Sequence, residues 1–385
     1  MINDPRTPSL RPIPVKSSGA KTAIKVVAGI IAILVALLLG LIVLLLIGVE
    51  TGPVALLIGM VSATLPVPIY LVLVLWIDRY EAEPAWMLAT AFFWGALVAV
   101  FFAFLINTAS DIAVQVMTNS AQAGHTFGAV VSAPIVEETA KALILFIFFF
   151  AKKDEFDGVI DGIVYAAMVG LGFAMTENIQ YYGKAVMQGG GGGLTFVFIL
   201  RGFLAPFSHP MFTSLTGIGL GLARQSRNTA IKWIAPPFGL LAAMSMHSIW
   251  NGSGVLFGGG AFLLTYILIM IPAFFIMLVV IALALRREGQ IVREYLVVDF
   301  QGGLFTQDEY KRLGSIFGRM GLSFNALTQG GFGQWRTARQ LNQTASELAF
   351  HRSRVARGIT AADAAQREAD YRMALEDLLK RLRSK

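Results

Sequence analysis

Long apolar segments alternate with short polar connections over most of the chain, and few polar positions interrupt the segments themselves. Each segment has roughly 20 residues or more, the length that an α-helix needs to cross a ~30 Å hydrocarbon core. The pattern therefore predicts an all-α polytopic membrane protein with about eight transmembrane helices, at residues 25–49, 53–77, 86–107, 127–151, 158–183, 194–222, 231–252 and 260–285.

Composition supports the same class of protein. Of the 385 residues, 56% are hydrophobic and 14% are charged, and the mean hydropathy is +0.66. A soluble domain carries about 25% charged residues. Because the chain has no cysteine, thiol-dependent catalysis and a disulfide framework are both excluded.

Lysine and arginine in the connections predict the orientation. They gather in the N-terminal tail and in alternate connections, whereas the opposite side offers Lys184. By the positive-inside rule, we expect a multi-pass protein of the inner membrane with both termini in the cytoplasm. The predicted organisation is a cytoplasmic tail at 1–24, a transmembrane domain at 25–285 and a cytoplasmic helical region at 286–385.

The region 286–385 carries most of the positive charge, with 17 lysines and arginines against 11 acidic residues. Its segments show helical spacing, with acids near the start and bases near the end. The excess charge favours attraction to the anionic inner leaflet. We expect no nucleic-acid partner, because no motif that reads nucleic acid accompanies the charge. The oligomeric state is not predicted.

The segment SAPIVEETAKALILFIFFF contains three charged residues that a membrane helix should avoid: Glu137, Glu138 and Lys141. Each costs on the order of 2.5–3.5 kcal/mol near a bilayer centre. Lys141 is four residues from one glutamate and three from the other, so it can pair with either carboxylate on one helix face. A purely structural interpretation is an ion pair that fixes the register of the helix, although one glutamate would be enough for that purpose.

Further polar residues lie in the next three predicted helices. Glu177 is in the fifth, His209 in the sixth, and His247 and Asn251, spaced i,i+4, in the seventh. At ~1.5 Å of rise per residue, Glu137, Glu177, His209 and His247 all fall in the outer half of the bilayer. We therefore predict that they surround one cavity.

Two kinds of hydrolytic chemistry suit these residues. In the first, Glu137 polarises a water molecule, Glu177 shares its proton, and His247 and Asn251 donate hydrogen bonds to the oxyanion of an attacked amide. In the second, His209, His247 and a glutamate bind zinc and leave one position for an activated water. The residues alone leave both alternatives open.

Several motifs together resemble the PrsW family of polytopic membrane proteases, which is related to the CAAX prenyl endopeptidases and the Abi proteins. They span a motif core at 78–251 within the predicted transmembrane protease domain. The matching segments are DRYEAEP (78–84), PIVEETAK (134–141), DGIVYAAMVGLGFAMTENIQYY (161–182), RGFLAPFSHPMF (201–212) and HSIWN (247–251).

The resemblance implies cleavage of a membrane-anchored protein, in the best-known members an anti-sigma factor on its extracytoplasmic side. It also implies that Glu137 activates water and that His247 and Asn251 form the oxyanion hole. Glu177 stands where the prenyl endopeptidases have histidine, so His209 is an alternative source of the imidazole. The candidate catalytic residues are Glu137, Glu138, Glu177, His209, His247 and Asn251, with no cofactor expected and zinc as the alternative.

Two other functions compete with proteolysis. A proton- or cation-coupled transporter would use the carboxylates as a proton relay and would show inverted repeats, which the sequence does not display. A catalytically silent membrane chaperone or immunity protein would keep the fold and tolerate loss of both glutamates. We expect a peptidase.

Overall fold

The computed structural model describes residues 19–358 and 363–384. Every regular element in these ranges is a helix and no β-strand occurs in them, which confirms the predicted all-α class. Of the predicted tail at 1–24, residues 1–18 lie outside the described part of the chain.

Fourteen α-helices follow one another along the described residues: α1 (Gly19–Thr51), α2 (Pro53–Thr64), α3 (Val67–Ile77), α4 (Ala85–Phe93), α5 (Val100–Thr118), α6 (Ala121–Phe127), α7 (Ala133–Ala151), α8 (Val159–Phe198), α9 (Ser208–Gln225), α10 (Thr229–Thr265), α11 (Ile271–Gln301), α12 (Gln307–Leu313), α13 (Ile316–Ala356) and α14 (Ala364–Arg383). Short π-helical segments precede α5, α7 and α11 and follow α8, at Trp94–Ala99, Gly128–Ser132, Tyr266–Met270 and Ile199–Leu204. A π-helical turn changes the direction of the side chains that follow it, and such turns are frequent at functional sites.

Five helical stretches among the described residues are long and apolar enough to cross a membrane: Val26–Thr51, Pro53–Ile77, Ala85–Thr118, Val159–Gln225 and Thr229–Gln301. The last two each contain two of the predicted spans. The predicted fourth span is absent from this set because α7 carries three charged residues within its 19. The predicted count of eight spans is therefore not confirmed.

Two glycines mark the boundaries inside the longest stretches. Gly190 in α8 has φ 52° and Gly258 in α10 has φ 78°, a backbone region that favours glycine. Both kinks fall close to the connections that the apolar pattern predicts, between the fifth and sixth spans and between the seventh and eighth. The chain is thus helical on both sides of a sharp bend at each point.

Helix α8 is the central helix of the fold. From Val159 to Ala174 every residue is buried, because α2, α3, α4 and α9 pack around it. An apolar helix that is buried on all sides is typical of the middle of a membrane bundle. Helices α7 and α9, which carry other site residues, are therefore positioned by their packing against α8.

Small residues allow the neighbouring helices to approach α8 closely. A Cβ atom at Gly162 would lie 2.1 Å from the carbonyl oxygen of Gly217 on α9, and one at Gly170 would lie 2.6 Å from the nitrogen of Pro210. Glycine is enriched at such contacts because it lets two backbones meet. The contact at Pro210, at the start of α9, places His209 directly against α8.

The C-terminal helices pack together on one side of this bundle. Leu296 of α11, Leu341 and Leu348 of α13, and Leu375 of α14 are fully buried in a shared core. Arg354 of α13 reaches the connection between α3 and α4, where its Nη1 lies 2.6 Å from Glu81 Oε1. The region 286–385 is therefore helical where it is described and contacts the bundle.

Candidate active site

A buried group of ionisable side chains lies where α7, α8, α9 and α10 meet. Helix α7 contributes Glu137, Glu138 and Lys141. The other three helices contribute Glu177, His209 and His247. We call these six residues the polar centre. Five of the six predicted site residues belong to it, and Asn251 does not.

Lys141 occupies the middle of the polar centre. Its Nζ lies 2.8 Å from Glu138 Oε1, 3.4 Å from Glu137 Oε2 and 2.9 Å from His209 Nδ1. An ammonium group can only donate hydrogen bonds, so His209 Nδ1 accepts one. The proton of this imidazole is then on Nε2, from which it donates to Glu177 Oε2 at 2.9 Å.

Glu138 is held by three partners. Its Oε1 accepts from Lys141 and from His247 Nδ1 at 3.1 Å, and its Oε2 accepts from the hydroxyl of Thr213 at 2.9 Å. Glu138 is also fully buried. A carboxylate in this position orients an imidazole, because it fixes the proton on Nδ1 and leaves Nε2 available.

Glu137 is held more loosely than Glu138. Its carboxylate accepts from Asn107 at 3.4 Å and from Lys141 at 3.4 Å, and its Oε2 lies 3.9 Å from His247 Nε2. It also borders a cavity of about 240 Å³, which Glu177 lines as well. Of the two adjacent glutamates, Glu137 is therefore the one that faces open space.

Glu177 is fixed by an ion pair with Arg201, whose Nε also donates to Asn178 Oδ1 at 2.6 Å. Arg201 follows α8 in a π-helical segment. The sequence contained a signal for this pair, since Arg201 is an intramembrane cation that a carboxylate should accompany. The contact holds Glu177 at the edge of the cavity and against His209.

Asn251 lies outside the polar centre. Its amide nitrogen donates to the backbone carbonyl of Ala129 at 3.0 Å. The π-helical turn Gly128–Ser132 presents this carbonyl to α10. The i,i+4 spacing from His247 predicts a shared face, but among the described residues the Asn251 amide bonds to the turn before α7 and to no residue of the polar centre.

Two residues that contact the glutamates of the polar centre were not predicted from the sequence. Asn107 donates to Glu137 and accepts from the Ser132 hydroxyl at 2.9 Å, and Thr213 donates to Glu138. Asn107 was detectable as an amide at the end of a predicted span. Thr213 follows His209 by four residues, so it shares a helix face with that imidazole.

The donor atoms of Glu137, His209 and His247 all lie within 4.8 Å of one another, a spacing that a single metal ion can bridge after a small contraction. Two histidines, one carboxylate and an open position are the ligand set of catalytic zinc sites. The residues fit zinc, and Glu138 on His247 Nδ1 supplies the orienting contact that such sites use. Lys141 already contacts two of these ligands and would have to release His209 Nδ1.

These features define a polytopic membrane protein with an ionisable centre buried among its helices. The particular family follows from comparison with known sequences. The chain belongs to the PrsW family: residues 83–277, about half of the chain, match the family described as PrsW family intramembrane metalloprotease. The matched region contains every candidate site residue and confirms the resemblance drawn from the motifs. The further relation to the CAAX and Abi proteins stays a prediction.

Similar curated proteins share the name Protease PrsW. The protein of Geobacillus kaustophilus is 33% identical over 147 residues, 38% of this chain and 58% of its own length. That of Bacillus subtilis is 32% identical over 158 residues, 41% and 65% respectively, and that of Oceanobacillus iheyensis is 28% identical over 195 residues, 51% and 82%. The chain thus spans less than two thirds of the length of the first two relatives. No solved structure matches the chain.

Proposed function

We propose that this chain is a membrane-embedded endopeptidase that hydrolyses a peptide bond of a membrane-anchored protein. The observation that carries the proposal is the meeting of Glu137 and Glu177 at one cavity, backed by two imidazoles from different helices. The names of the PrsW relatives support a proteolytic activity. By the resemblance stated above, a membrane-anchored regulator such as an anti-sigma factor is the substrate.

In this proposal Glu137 takes a proton from the attacking water. Its long contacts leave its oxygens accessible from the cavity, whereas Glu138 has its oxygens occupied by Lys141, His247 and Thr213. Lys141 stabilises the negative charge of both carboxylates. Glu177 lines the cavity and accepts the Nε2–H of His209, so its carboxylate can share the proton taken from the water and return it to the leaving amine, as general acid–base catalysis requires.

The tetrahedral oxyanion needs hydrogen-bond donors next to the cavity. Asn251 is engaged by the Ala129 carbonyl, so the role that the resemblance assigns to it requires that bond to break. Asn107 lines the cavity, and its amide donates to Glu137 over 3.4 Å, a weak contact that is easily exchanged. We therefore assign oxyanion binding to Asn107, with Asn251 holding α10 against the turn before α7. His247 can add a donor from Nε2 when both of its ring nitrogens carry a proton, because Glu138 already engages its Nδ1–H.

Glu137, His209 and His247 would be the residues that hold a zinc ion. When bound, zinc lowers the pKa of a coordinated water and polarises a carbonyl oxygen. With zinc bound, Glu138 would orient His247, Glu177 would orient His209, and Lys141 would contact the two glutamates alone. Both versions use the same residues and are separated by a metal measurement.

The proposal is tested with purified protein in liposomes and a single-pass substrate whose cleavage is followed by mass spectrometry. Glu137→Gln should lower the rate at least about 100-fold, since it removes the base, and Glu138→Gln should lower it by loss of His247 orientation. Glu50→Gln is the matched control, because Glu50 is a half-exposed residue of α1 that contacts Lys184. Normal cleavage by both site variants would rule the proposal out.

Metal content separates the two versions. Zinc at one ion per active protein, with activity lost to a chelator and restored by added zinc, would establish the metal-dependent version. Full activity at far less than one ion per protein would establish the metal-free version. His209→Gln serves as the internal comparison, because it should abolish zinc retention in the first case and leave metal content unchanged in the second.

A further inference from the structure

A groove of about 520 Å³ lies between the C-terminal end of α3 and the first half of α13. It is at one end of the helix bundle, whereas the start of α7 and the cavity next to it are at the other end. Apolar side chains from both helices line it: Val72, Leu75 and Trp76 of α3, and Met320, Phe324 and Leu327 of α13. Neither the polar centre nor its cavity shares a residue with this groove.

Three arginines, Arg79, Arg319 and Arg339, add positive charge to the groove. Their guanidinium groups lie over the rings of Trp76, Tyr80 and Trp335 at 4.7, 4.6 and 5.1 Å. Among residues 19–358 and 363–384, no carboxylate oxygen comes within 4.0 Å of any of the three. Positive charges that are stacked on aromatic rings and lack an acidic partner are well suited to bind an anion.

The three arginines are also close enough to repel one another. Burial, together with the charge of Arg339, lowers the pKa of Arg79 below its usual value. Burial lowers the pKa of Arg319 to about 10. Arg319 is fixed in the wall of the groove, since it donates to Ser346 Oγ and to the Asn342 carbonyl, whereas Arg79 and Arg339 have no such partner among the described residues.

The surface around the groove is continuous with a membrane-facing surface. Helix α3 belongs to an apolar stretch long enough to span the bilayer, and its lining residues Val72 and Leu75 are exposed. The exposed apolar row continues onto α13, where Phe317 is 81% exposed and Phe324 is 64% exposed. Tryptophan and arginine beside such a row are typical of the level of the lipid headgroups.

We propose that this groove binds an anionic phospholipid, with Arg79 and Arg339 contacting the headgroup phosphate and one acyl chain lying along Val72, Leu75 and Phe324. The lipid belongs to the leaflet at the C-terminal end of α3. Asp78 also lines the groove, and its burial raises the pKa of its carboxyl to about 7, which reduces its repulsion of a phosphate. The bound lipid would join α13 to the membrane domain independently of the proposed proteolysis.

Lipid binding is measured on the full chain by native mass spectrometry, with phosphatidylglycerol, phosphatidylcholine and inorganic phosphate as separate probes. We expect phosphatidylglycerol to bind at least about tenfold more tightly than phosphatidylcholine, and the double variant Arg79→Gln with Arg339→Gln to lose about tenfold of that affinity. The matched control is Arg286→Gln with Arg287→Gln, the same change at two exposed arginines of α11.

A second measurement keeps the test valid if the double variant fails to fold. Brominated phosphatidylglycerol should quench the tryptophan fluorescence of the unaltered chain more than brominated phosphatidylcholine does, and Trp76→Phe with Trp335→Phe should remove the difference. Equal quenching by the two lipids, unchanged affinity in the arginine variant, or inorganic phosphate binding as tightly as the lipid would each overturn the proposal.

Discussion

Lys141 is the residue on which the buried carboxylates of the polar centre depend. A carboxylate that is fully removed from water is stable only when a cation and hydrogen bonds replace the lost hydration. Glu138 has such a set in Lys141, His247 and Thr213. Each of these partners donates a hydrogen bond to an oxygen of Glu138. The loss of any one of them therefore leaves a buried oxygen with too few donors.

Thr213→Val should therefore destabilise the protein by about 1–3 kcal/mol, because it leaves Glu138 Oε2 without its hydroxyl donor. The measurement is thermal unfolding in detergent, followed by peptide cleavage. We also expect a drop in cleavage rate of up to about 10–100-fold, the usual cost of removing a contact that orients a site residue.

Thr216→Val is the matched control for this substitution. Thr216 is on the same helix and fully buried, but its hydroxyl has no hydrogen-bond partner in the described part of the chain. Replacing it with valine should leave stability unchanged or raise it, since no bond is lost. Equal destabilisation by the two variants would show that Thr213 acts through packing and not through Glu138.

At the scale of the helices, the close contact of α8 with α9 sets the position of His209. The two backbones touch at Gly162 and Gly217, and again at Gly170 and Pro210. Membrane helices lack a hydrophobic driving force between them, so packing of this kind supplies much of their association. The geometry of the polar centre therefore depends on glycines of α8 and α9 that do not themselves belong to it.

Gly162→Ala should push α9 away from α8, because the new Cβ would lie 2.1 Å from the Gly217 carbonyl oxygen. We expect destabilisation of about 1–3 kcal/mol, the usual range for overpacking, and a lower cleavage rate. Gly189→Ala, also in α8, has nothing within 4 Å of the new Cβ and is the control. Thermal unfolding of both variants distinguishes contact from helix propensity, and an unchanged Gly162→Ala protein would contradict the packing argument.

The polar residues of the helices could be predicted from the sequence, whereas several of their contacts could not. Charged and imidazole side chains inside apolar segments identified Glu137, Glu138, Glu177, His209 and His247, because each is costly in lipid unless it meets a partner. Asn251 was predicted for the same site from its spacing to His247, but its contact with the Ala129 carbonyl depends on the π-helical turn before α7, which helical periodicity does not contain. Contacts between distant helices, such as that of Asn107 with Glu137, depend on packing that periodicity does not contain.

For the whole molecule, the junction between the membrane bundle and the C-terminal helices is acidic on one side and basic on the other. The connection between α3 and α4 contains Asp78, Glu81 and Glu83, all largely buried or paired. Burial raises the pKa of all three carboxyls, and Asp161 adds repulsion. Arg354 binds Glu81 and Asp157, so it stabilises this junction against the repulsion.

Asp78 gives the junction a defined dependence on pH. Its Oδ2 accepts from the backbone N–H of Glu83 at 2.9 Å, while its Oδ1 has no partner among the described residues. Its pKa is about 7 in the folded protein and 3.8 in a model peptide. Below pH 3.8 both states are protonated and the residue costs nothing, whereas above that value the unfolded chain ionises first.

Stability should therefore fall as the pH rises from about 4 to about 7 and then level off, with Asp78 contributing on the order of 2–4 kcal/mol of the loss. Asp78→Asn should match the unaltered protein at pH 4 and unfold at a higher temperature at pH 7.5, because asparagine stays neutral. Asp154→Asn, at an exposed aspartate in the connection before α8, is the control and should show no such divergence. The contrary outcome is a difference in unfolding temperature between the Asp78 variant and the unaltered protein that is the same at both pH values. It would mean that Asp78 is ionised in the folded junction and that nearby cations stabilise the acidic connection.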